Sequence, residues 1–193
     1  MNTATQNLEN DHVYILRLID VMEKMVLNCA SDTAHMELVV NLIKTYADGF
    51  HHAKEEQVLF PLLEEKGFSK VHGPVAVMLH EHVEGREFVK GISQRINVYK
   101  AGNVSALPEI YQYMQGYVDL LREHISKENN VLFKLADKAL SSDEQLELLN
   151  KFGSIEKQYN SEQIAESILE IEGLEAFYME DDVKETISHA SGQ

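Results

Sequence analysis

Apolar residues recur at intervals of three and four along most of the chain, a spacing that predicts amphipathic α-helices. The first such stripe runs from Leu8 to Val26, and residues 1–7 before it are expected to be frayed. The second stripe runs from Val39 to Leu62. Runs rich in Val, Ile and Thr that alternate apolar and polar residues, as strands do, are not found. The pattern therefore predicts an all-α fold.

Two further stripes occupy the middle of the chain, the first of them with Pro74 in its opening turn, where a proline costs no hydrogen bond. The expected inward faces are Val75, Met78, His82, Gly85, Val89, Ile92, Ile96 and Tyr99 in the third helix, and Ile110, Met114, Tyr117, Leu121, His124, Glu128, Val131 and Leu135 in the fourth. Four helices with short connections predict an up-down four-helix bundle over residues 8–140. Additional C-terminal helices are expected over residues 141–187, starting at one of two overlapping capping boxes, Ser141 with Glu144 or Ser142 with Gln145. We expect residues 1–193 to form a single domain, with residues 188–193 disordered.

Composition argues against several classes of function. The formal net charge is −15, whereas binding to nucleic-acid phosphates requires clustered Lys and Arg. No apolar run approaches the ~20 residues of a membrane-spanning helix, and the polar N-terminus does not resemble a signal peptide. The single cysteine, Cys29, cannot form an internal disulfide. We therefore expect a cytoplasmic protein that binds neither nucleic acid nor membranes.

Nine histidines stand out in this composition, and two of them begin a repeated motif. The copies read HHAKEEQVLF at 51–60 and HISKENNVLF at 124–133. In each copy a His precedes a Glu by four residues, which places both side chains on one helix face, one turn apart. These pairs are His51 with Glu55 and His124 with Glu128.

The apolar stripe distinguishes the two adjacent histidines of the first motif. One turn before His51 lies Ala47, which belongs to the apolar face, whereas one turn before His52 lies Asp48. We therefore expect His51 to face the core, and His52 with Glu56 to lie nearer its edge. His80 is expected to point away from the site. The interpretation for these three residues is a supporting or solvated role, with direct contact to a metal left open.

Six polar residues are thus expected on the inward faces, which carry no Lys or Arg. They are His12, His51, Glu55, His82, His124 and Glu128. Each His–Glu pair alone could be a surface pair, and His12 or His82 alone could be a hydrogen-bonded core histidine. Together, however, two buried carboxylates and four imidazoles require compensating cations. Two divalent metals would satisfy them, each taking two imidazoles, with the carboxylates bridging. Nitrogen and oxygen ligands suit iron or manganese, with zinc a less specific substitute.

The chain resembles the hemerythrin-like (HHE cation-binding) proteins over about residues 8–160. The resemblance rests on HxxxEExxLFP at 51–61, Glu-His at 81–82 and HxxxENNxLF at 124–133. It implies a four-helix bundle around a non-haem di-iron centre with an oxo or hydroxo bridge. The six inward residues would be its ligands, and Glu55 and Glu128 would bridge the irons.

Two positions depart from the oxygen-carrying hemerythrins. Those proteins place another His four residues before the one that matches His82, giving five in all, and an Asp in the fourth-helix motif. This chain has Met78 and Glu128 at those positions. Its set of four His and two Glu is more similar to the branch associated with nitrosative and oxidative stress and with repair of iron–sulfur centres.

Three functions remain open from the sequence. The first is binding or sensing of O2 or NO at the open positions of a di-iron site. The alternative is a stress-response protein that turns over peroxide or NO, or that repairs iron–sulfur centres by supplying iron. The third is an iron-level sensor whose bundle folds only when it is loaded with metal. Whether the protein is an enzyme stays undecided, and the C-terminal helices are a candidate surface for a protein partner.

Overall fold

The computed structural model describes residues 3–159 and 161–190, with side chains for residues 3–159 and 162–179. Over these residues the chain forms six helices and no strand. The helices are α1 (Ala4–Leu27), α2 (33–65), α3 (Pro74–Lys100), α4 (107–139), α5 (Ser142–Gln158) and α6 (Ser161–Ala190). Helices α1 to α4 form the predicted bundle, and α5 and α6 are the additional C-terminal helices. The predicted all-α fold is confirmed.

Helices α2 and α4 are continuous but change their winding. Helix α2 consists of Thr33–Leu42, π-helical Ile43–His52 and Glu55–Leu59, and Phe60–Glu65. Helix α4 consists of Leu107–Lys127, π-helical Glu128–Leu132, and Phe133–Ala139. In a π-helix each hydrogen bond spans five residues, so a turn holds an extra residue and the inward face shifts. Both repeated motifs lie on these segments.

Side-chain caps begin helices α2 and α5. Asp32 Oδ1 accepts hydrogen bonds from the backbone N–H groups of Ala34 and His35 at the start of α2. Ser141 and Glu144 form a reciprocal capping box at the start of α5. Such caps satisfy backbone groups that have no partner within the helix.

The expectation of a frayed start is wrong for the described part of residues 1–7. Ala4 and Thr5 are buried in α1, because α4 and α5 provide partners for them. The Ala4 N–H donates to Gln145 Oε1 at 2.8 Å, and the Thr5 hydroxyl donates to Asp137 Oδ1 at 2.7 Å. At the other end, α6 is helical through Ala190, so disorder is not found at 188–190, and residues 191–193 lie outside the described residues.

The π-helical segment of α4 overturns the expected inward face beyond Glu128. Val131 and Leu135 are 47% and 37% exposed, whereas Leu132, Phe133 and Ala136 are buried. The extra residue in the π turn moves the apolar face by one position, which an unbroken α-helical period does not anticipate.

The interior divides into two apolar clusters. One contains Ile15, Met22, Ile92, Tyr117 and Ile125 among its members, and the other contains Leu8, Phe60, Met78, Phe133 and Phe152. A layer of buried polar side chains separates the two clusters. Each of the four bundle helices contributes a histidine to this layer.

Helix α6 packs on the bundle along α1. Ile171, Leu174 and Tyr178 are buried and belong to the first apolar cluster. Arg17 of α1 forms ion pairs with Glu172 and Glu175 of α6. The apolar side of α6 is therefore covered by the bundle over the described side chains. None of the described helices combines the length and apolar character required to cross a membrane.

Candidate metal centre

The structure brings the six predicted polar residues into one buried layer. His12, His51, Glu55, His82, His124 and Glu128 are each no more than 2% exposed. They come from all four helices of the bundle. Phe60 and Phe133, which end the two sequence motifs, lie beneath the layer, stacked on the rings of His82 and His12 respectively.

The four imidazoles approach each other in two pairs. His12 Nε2 lies 3.0 Å from His51 Nε2, and His82 Nε2 lies 3.2 Å from His124 Nε2. The first pair joins α1 to α2, and the second joins α3 to α4. Each pair therefore directs two ring nitrogens toward one point.

The two glutamates lie between the imidazole pairs. Glu55 Oε2 is 3.7 Å from His51 Nε2 and 3.4 Å from His82 Nε2. Glu128 Oε2 is 3.2 Å from His12 Nε2 and 3.4 Å from His124 Nε2. Each carboxylate thus touches one histidine of each pair, the placement that a bridging ligand requires.

The donor set fits divalent cations. All four carboxylate oxygens of Glu55 and Glu128 are buried without a hydrogen-bond partner, which is costly for an ionised group. Burial, reinforced by the charge of Glu128, raises the pKa of Glu55 well above its usual value. Burial also acts to raise the pKa of Glu128, but His124 and His12 hold it below its usual value. Cations placed between the carboxylates and imidazoles would satisfy these oxygens and remove the repulsion.

The opposite nitrogen of every imidazole is held by a side chain from another helix. Asn129 holds His12 Nδ1 at 2.8 Å, Asp11 holds His51 at 3.3 Å, Glu56 holds His82 at 2.7 Å and Glu81 holds His124 at 3.0 Å. The contacts run from α1 to α2, α2 to α3, α3 to α4 and α4 to α1, and we call these four residues the cyclic support. Such contacts fix the ring orientation and leave Nε2 free to bind a metal.

The members of the cyclic support share a position in the sequence that could have identified them. Each of its members is the immediate neighbour of one of the six candidate ligands: Asp11 precedes His12, Glu81 precedes His82, Glu56 follows Glu55 and Asn129 follows Glu128. Each one, however, holds a histidine on a different helix. Glu56 was expected in a supporting or solvated role, and it supports His82.

His52 departs from its expected place at the edge of the core. It is 6% exposed, and its ring stacks on that of His82 with 3.8 Å between centroids. The residue lies at the end of the π-helical segment Ile43–His52, where the wider turn brings both adjacent histidines inward. Burial and the neighbouring His82 lower the pKa of His52 to about 3. His80 is exposed, as expected.

The expectation of inward faces without Lys or Arg is also wrong. The Lys54 side chain is fully buried, with its ammonium 2.9 Å from both Asp11 Oδ2 and Glu156 Oε1. The reason is that α5 covers this side of the bundle and supplies Glu156. Lys54 therefore neutralises Asp11 of the cyclic support and Glu156 of α5. Among the interactions of the described residues, none joins Lys54 to Glu55 or Glu128.

A cavity of about 260 Å³ reaches one of the two imidazole pairs. His52, His82 and His124 contribute to its wall, together with Arg86 and Tyr117. His12 and His51 do not line it. A small ligand that enters this cavity would therefore meet the His82–His124 half of the polar layer.

Comparison with known proteins agrees with this geometry. Residues 3–136 match the family model of the hemerythrin HHE cation binding domain. The chain belongs to the hemerythrin family.

This hemerythrin-like chain is also similar to proteins named iron-sulfur cluster repair protein YtfE. Those of Escherichia coli O1:K1 / APEC, Escherichia coli strain SMS-3-5 / SECEC and Escherichia fergusonii strain ATCC 35469 are each 40% identical to it over 93 residues. The match covers 45% of this chain and 40% of each relative. The similarity thus spans less than half the length of these curated relatives. Among solved structures, none matches the chain significantly.

Two groups of buried residues in the described part of this hemerythrin-like chain are close enough together that each could hold a metal ion. They are His12, His51, Glu55 and Glu128 in the first group, and His52, Glu55, His82 and His124 in the second. Potential ligand atoms within each group lie within 4.8 Å of one another. Glu55 belongs to both groups, so the arrangement fits a two-metal centre.

Proposed function

We propose that this protein holds two iron ions between its four helices and supplies iron for the repair of damaged iron–sulfur centres. The observation that carries the proposal is the pair of four-residue groups that share Glu55, with four carboxylate oxygens lacking hydrogen-bond partners. The relatives named for iron–sulfur cluster repair support the choice of function. They favour this alternative over the sensing of oxygen.

In this proposal, His12 and His51 hold one ion, and His82 and His124 hold the other. Glu55 and Glu128 bridge the two, and an oxo or hydroxo group completes the centre. The ligand chemistry favours iron, with manganese and zinc as substitutes. When bound, the ions supply Lewis-acid and redox chemistry, and in repair one or both of them are the cargo.

The protein's own residues set the conditions for holding and releasing this cargo. The cyclic support keeps the imidazole nitrogens aimed at the centre, so a metal can leave and return without the rings turning away. Carboxylates bind through one or both oxygens, so Glu55 and Glu128 can change their mode of binding without a backbone movement. The cavity beside His82 and His124 gives one of the two positions a route to solvent.

The test is iron transfer to a damaged cluster. The protein would be loaded anaerobically with two equivalents of ferrous iron and mixed with an enzyme whose [4Fe–4S] cluster has been damaged by peroxide. We expect the enzyme's activity to recover while iron leaves this protein. Glu55→Gln should prevent recovery, and His80→Gln, which changes an exposed residue on α3, should not. Iron that stays bound while the cluster remains damaged would contradict the proposal.

A second candidate function is the binding or turnover of O2, NO or peroxide, which the cavity beside His82 and His124 favours. An optical band that appears when the reduced, iron-loaded protein is aerated, and disappears on degassing, would support reversible oxygen binding. Catalytic loss of added peroxide or NO would instead support turnover. A spectrum unchanged by all three molecules would contradict this second function and leave the first one standing.

A further inference from the structure

His52 lies within reach of the same point as three candidate ligands of the second metal position. One potential ligand atom from each of His52, Glu55, His82 and His124 falls within 4.8 Å of the others. All four residues are buried. The structure therefore places three imidazoles, rather than two, on the side of the polar layer that the cavity reaches.

The ring of His52 is oriented like those of the other four buried histidines. Its Nδ1 lies 3.3 Å from Asp48 Oδ1, so Nε2 is the nitrogen that remains for a metal. Asp48 is in turn fixed by Arg86, whose Nε donates to Oδ1 at 2.8 Å. A histidine held by a carboxylate through one nitrogen is the usual arrangement of a metal ligand. Asp48 belongs to the same helix as His52, so this support lies outside the cyclic support.

The ring of His52 lies beside both imidazoles of this half, and it must tilt from its stacked position on His82 to share an ion with it, because an imidazole binds a metal in the plane of its ring. The two rings are nearly parallel, at 16°, and the His52 ring is 5.9 Å from that of His124. The π-helical winding of Ile43–His52 is what allows the adjacent residues His51 and His52 both to enter the layer.

From this geometry we infer that His52 is a fifth imidazole ligand, binding the ion that His82 and His124 hold. The inference rests on the proposed two-metal centre and deepens it, because it makes the two positions unequal. The cavity-side ion would have three imidazoles, whereas the other would have two, those of His12 and His51, with Glu55 and Glu128 bridging both ions. The additional imidazole comes from α2, and not from the α3 position that Met78 occupies.

The alternative is that His52 only stacks on His82 and lines the cavity. Zinc distinguishes the two cases, because it is diamagnetic and suits imidazole ligands. The full chain, labelled with ¹⁵N, would be loaded with two equivalents of zinc. Two-bond ¹H–¹⁵N spectra would then count the imidazole rings that carry a metal-bound nitrogen, out of nine histidines in the chain.

We expect five metal-bound rings in the unsubstituted protein. His52→Gln should remove one of the five and weaken binding of one zinc equivalent by roughly 10- to 100-fold. The matched control, His80→Gln, should remove a ring that is not among the five and leave zinc affinity unchanged.

Four metal-bound rings, all retained in His52→Gln, would overturn the inference while the proposed centre survives. If His52→Gln does not fold, the count in the unsubstituted protein still decides between four and five. A chain that takes up neither zinc nor iron would overturn the proposed function, and the inference with it.

Discussion

The ammonium of Lys54 and the imidazole of His51 meet at one atom, Oδ2 of Asp11. The distances are 2.9 Å to Lys54 Nζ and 3.3 Å to His51 Nδ1. Lys54 is fully buried, and its ammonium also lies 4.0 Å from the centre of the Phe50 ring. The orientation of a candidate ligand is thus tied to the only buried lysine among the described side chains.

Replacing Lys54 by Met tests the energetic importance of this contact. The substitution would leave the buried Asp11 carboxylate without its cationic partner, and breaking a buried pair in this way costs about 3–5 kcal/mol of unfolding free energy. Urea unfolding of the metal-free protein measures the change. The control is Lys44→Met, since Lys44 is exposed on the same helix. Equal stabilities of the two variants would contradict the prediction.

Asp11 also predicts a dependence of stability on pH. Burial raises its pKa from 3.8 to about 6, even though Lys54 acts to lower it. Between these values the folded protein retains a proton that the unfolded chain has lost. The stabilisation that comes from this proton on Asp11 is therefore complete below pH 4 and is lost as the pH rises through 6.

The magnitude of this loss is on the order of 2–3 kcal/mol. Unfolding of the metal-free protein and of Asp11→Asn would be compared at pH 4.5 and pH 7. Relative to the variant, the unsubstituted protein should be less stable at the higher pH. A constant difference between the two proteins across this range would refute the prediction.

Glu55→Gln should change the stability of the metal-free protein and its metal binding in opposite directions. The carboxylate oxygens of Glu55 are buried without hydrogen-bond partners, so removing the charge should stabilise the metal-free bundle by on the order of 1–3 kcal/mol. The same change should abolish binding of at least one iron, because it removes the shared carboxylate. Thermal melts of the chelated protein and iron analysis measure the two effects. Glu84→Gln, at an exposed position of α3, should change neither.

Removal of the metal should lower the melting temperature. Ions that bind the folded bundle but not the unfolded chain stabilise it by about 2.7 kcal/mol at a free concentration 100 times the dissociation constant. Calorimetry of chelated and iron-loaded protein, with the His12→Ala variant as a comparison, measures this. Equal melting temperatures of the chelated and iron-loaded protein would exclude the hypothesis that the protein is an iron-level sensor. They would also argue against iron between the helices.

Close packing of α3 on α4 predicts that one added methyl group destabilises the bundle. A methyl group added at Gly116 would overlap the ring of Phe88. Gly116→Ala should therefore cost about 1 kcal/mol, the low end for overpacking, because Gly116 and Phe88 are only half-buried and the ring can shift. At Gly153 of α5 nothing lies within 4 Å of an added Cβ, so Gly153→Ala should stabilise by about 0.5–1 kcal/mol. Urea unfolding that gave both variants the same sign would contradict this account of the packing.

The helices and the six inward polar residues could be predicted because each depends on a local period. His12 and His82 lie in apolar stripes, and the His–Glu pairs repeat at i, i+4, so the spacing alone indicates one face. The bundle then follows because four such faces must be buried together.

Other features depended on contacts that no local period records. The π-helical segments moved His52 inward and Val131 outward, since an extra residue per turn changes the face without changing the composition. Lys54 is buried only because α5 supplies Glu156, a partner that lies 102 positions away in the chain. Each residue of the cyclic support likewise holds a histidine on another helix. Its role could therefore not be predicted from the ligand that it adjoins in the sequence.

The cyclic support means that a fragment without α4 cannot carry an intact half of the centre. A chain that stopped after α3 would lose His124 and Glu128, and without Asn129 it would also leave His12 on α1 free to rotate. We therefore expect metal capture during biosynthesis to wait until α4 has docked. Two separately expressed pieces, split in the loop between α3 and α4, would gain metal affinity only once they reassemble.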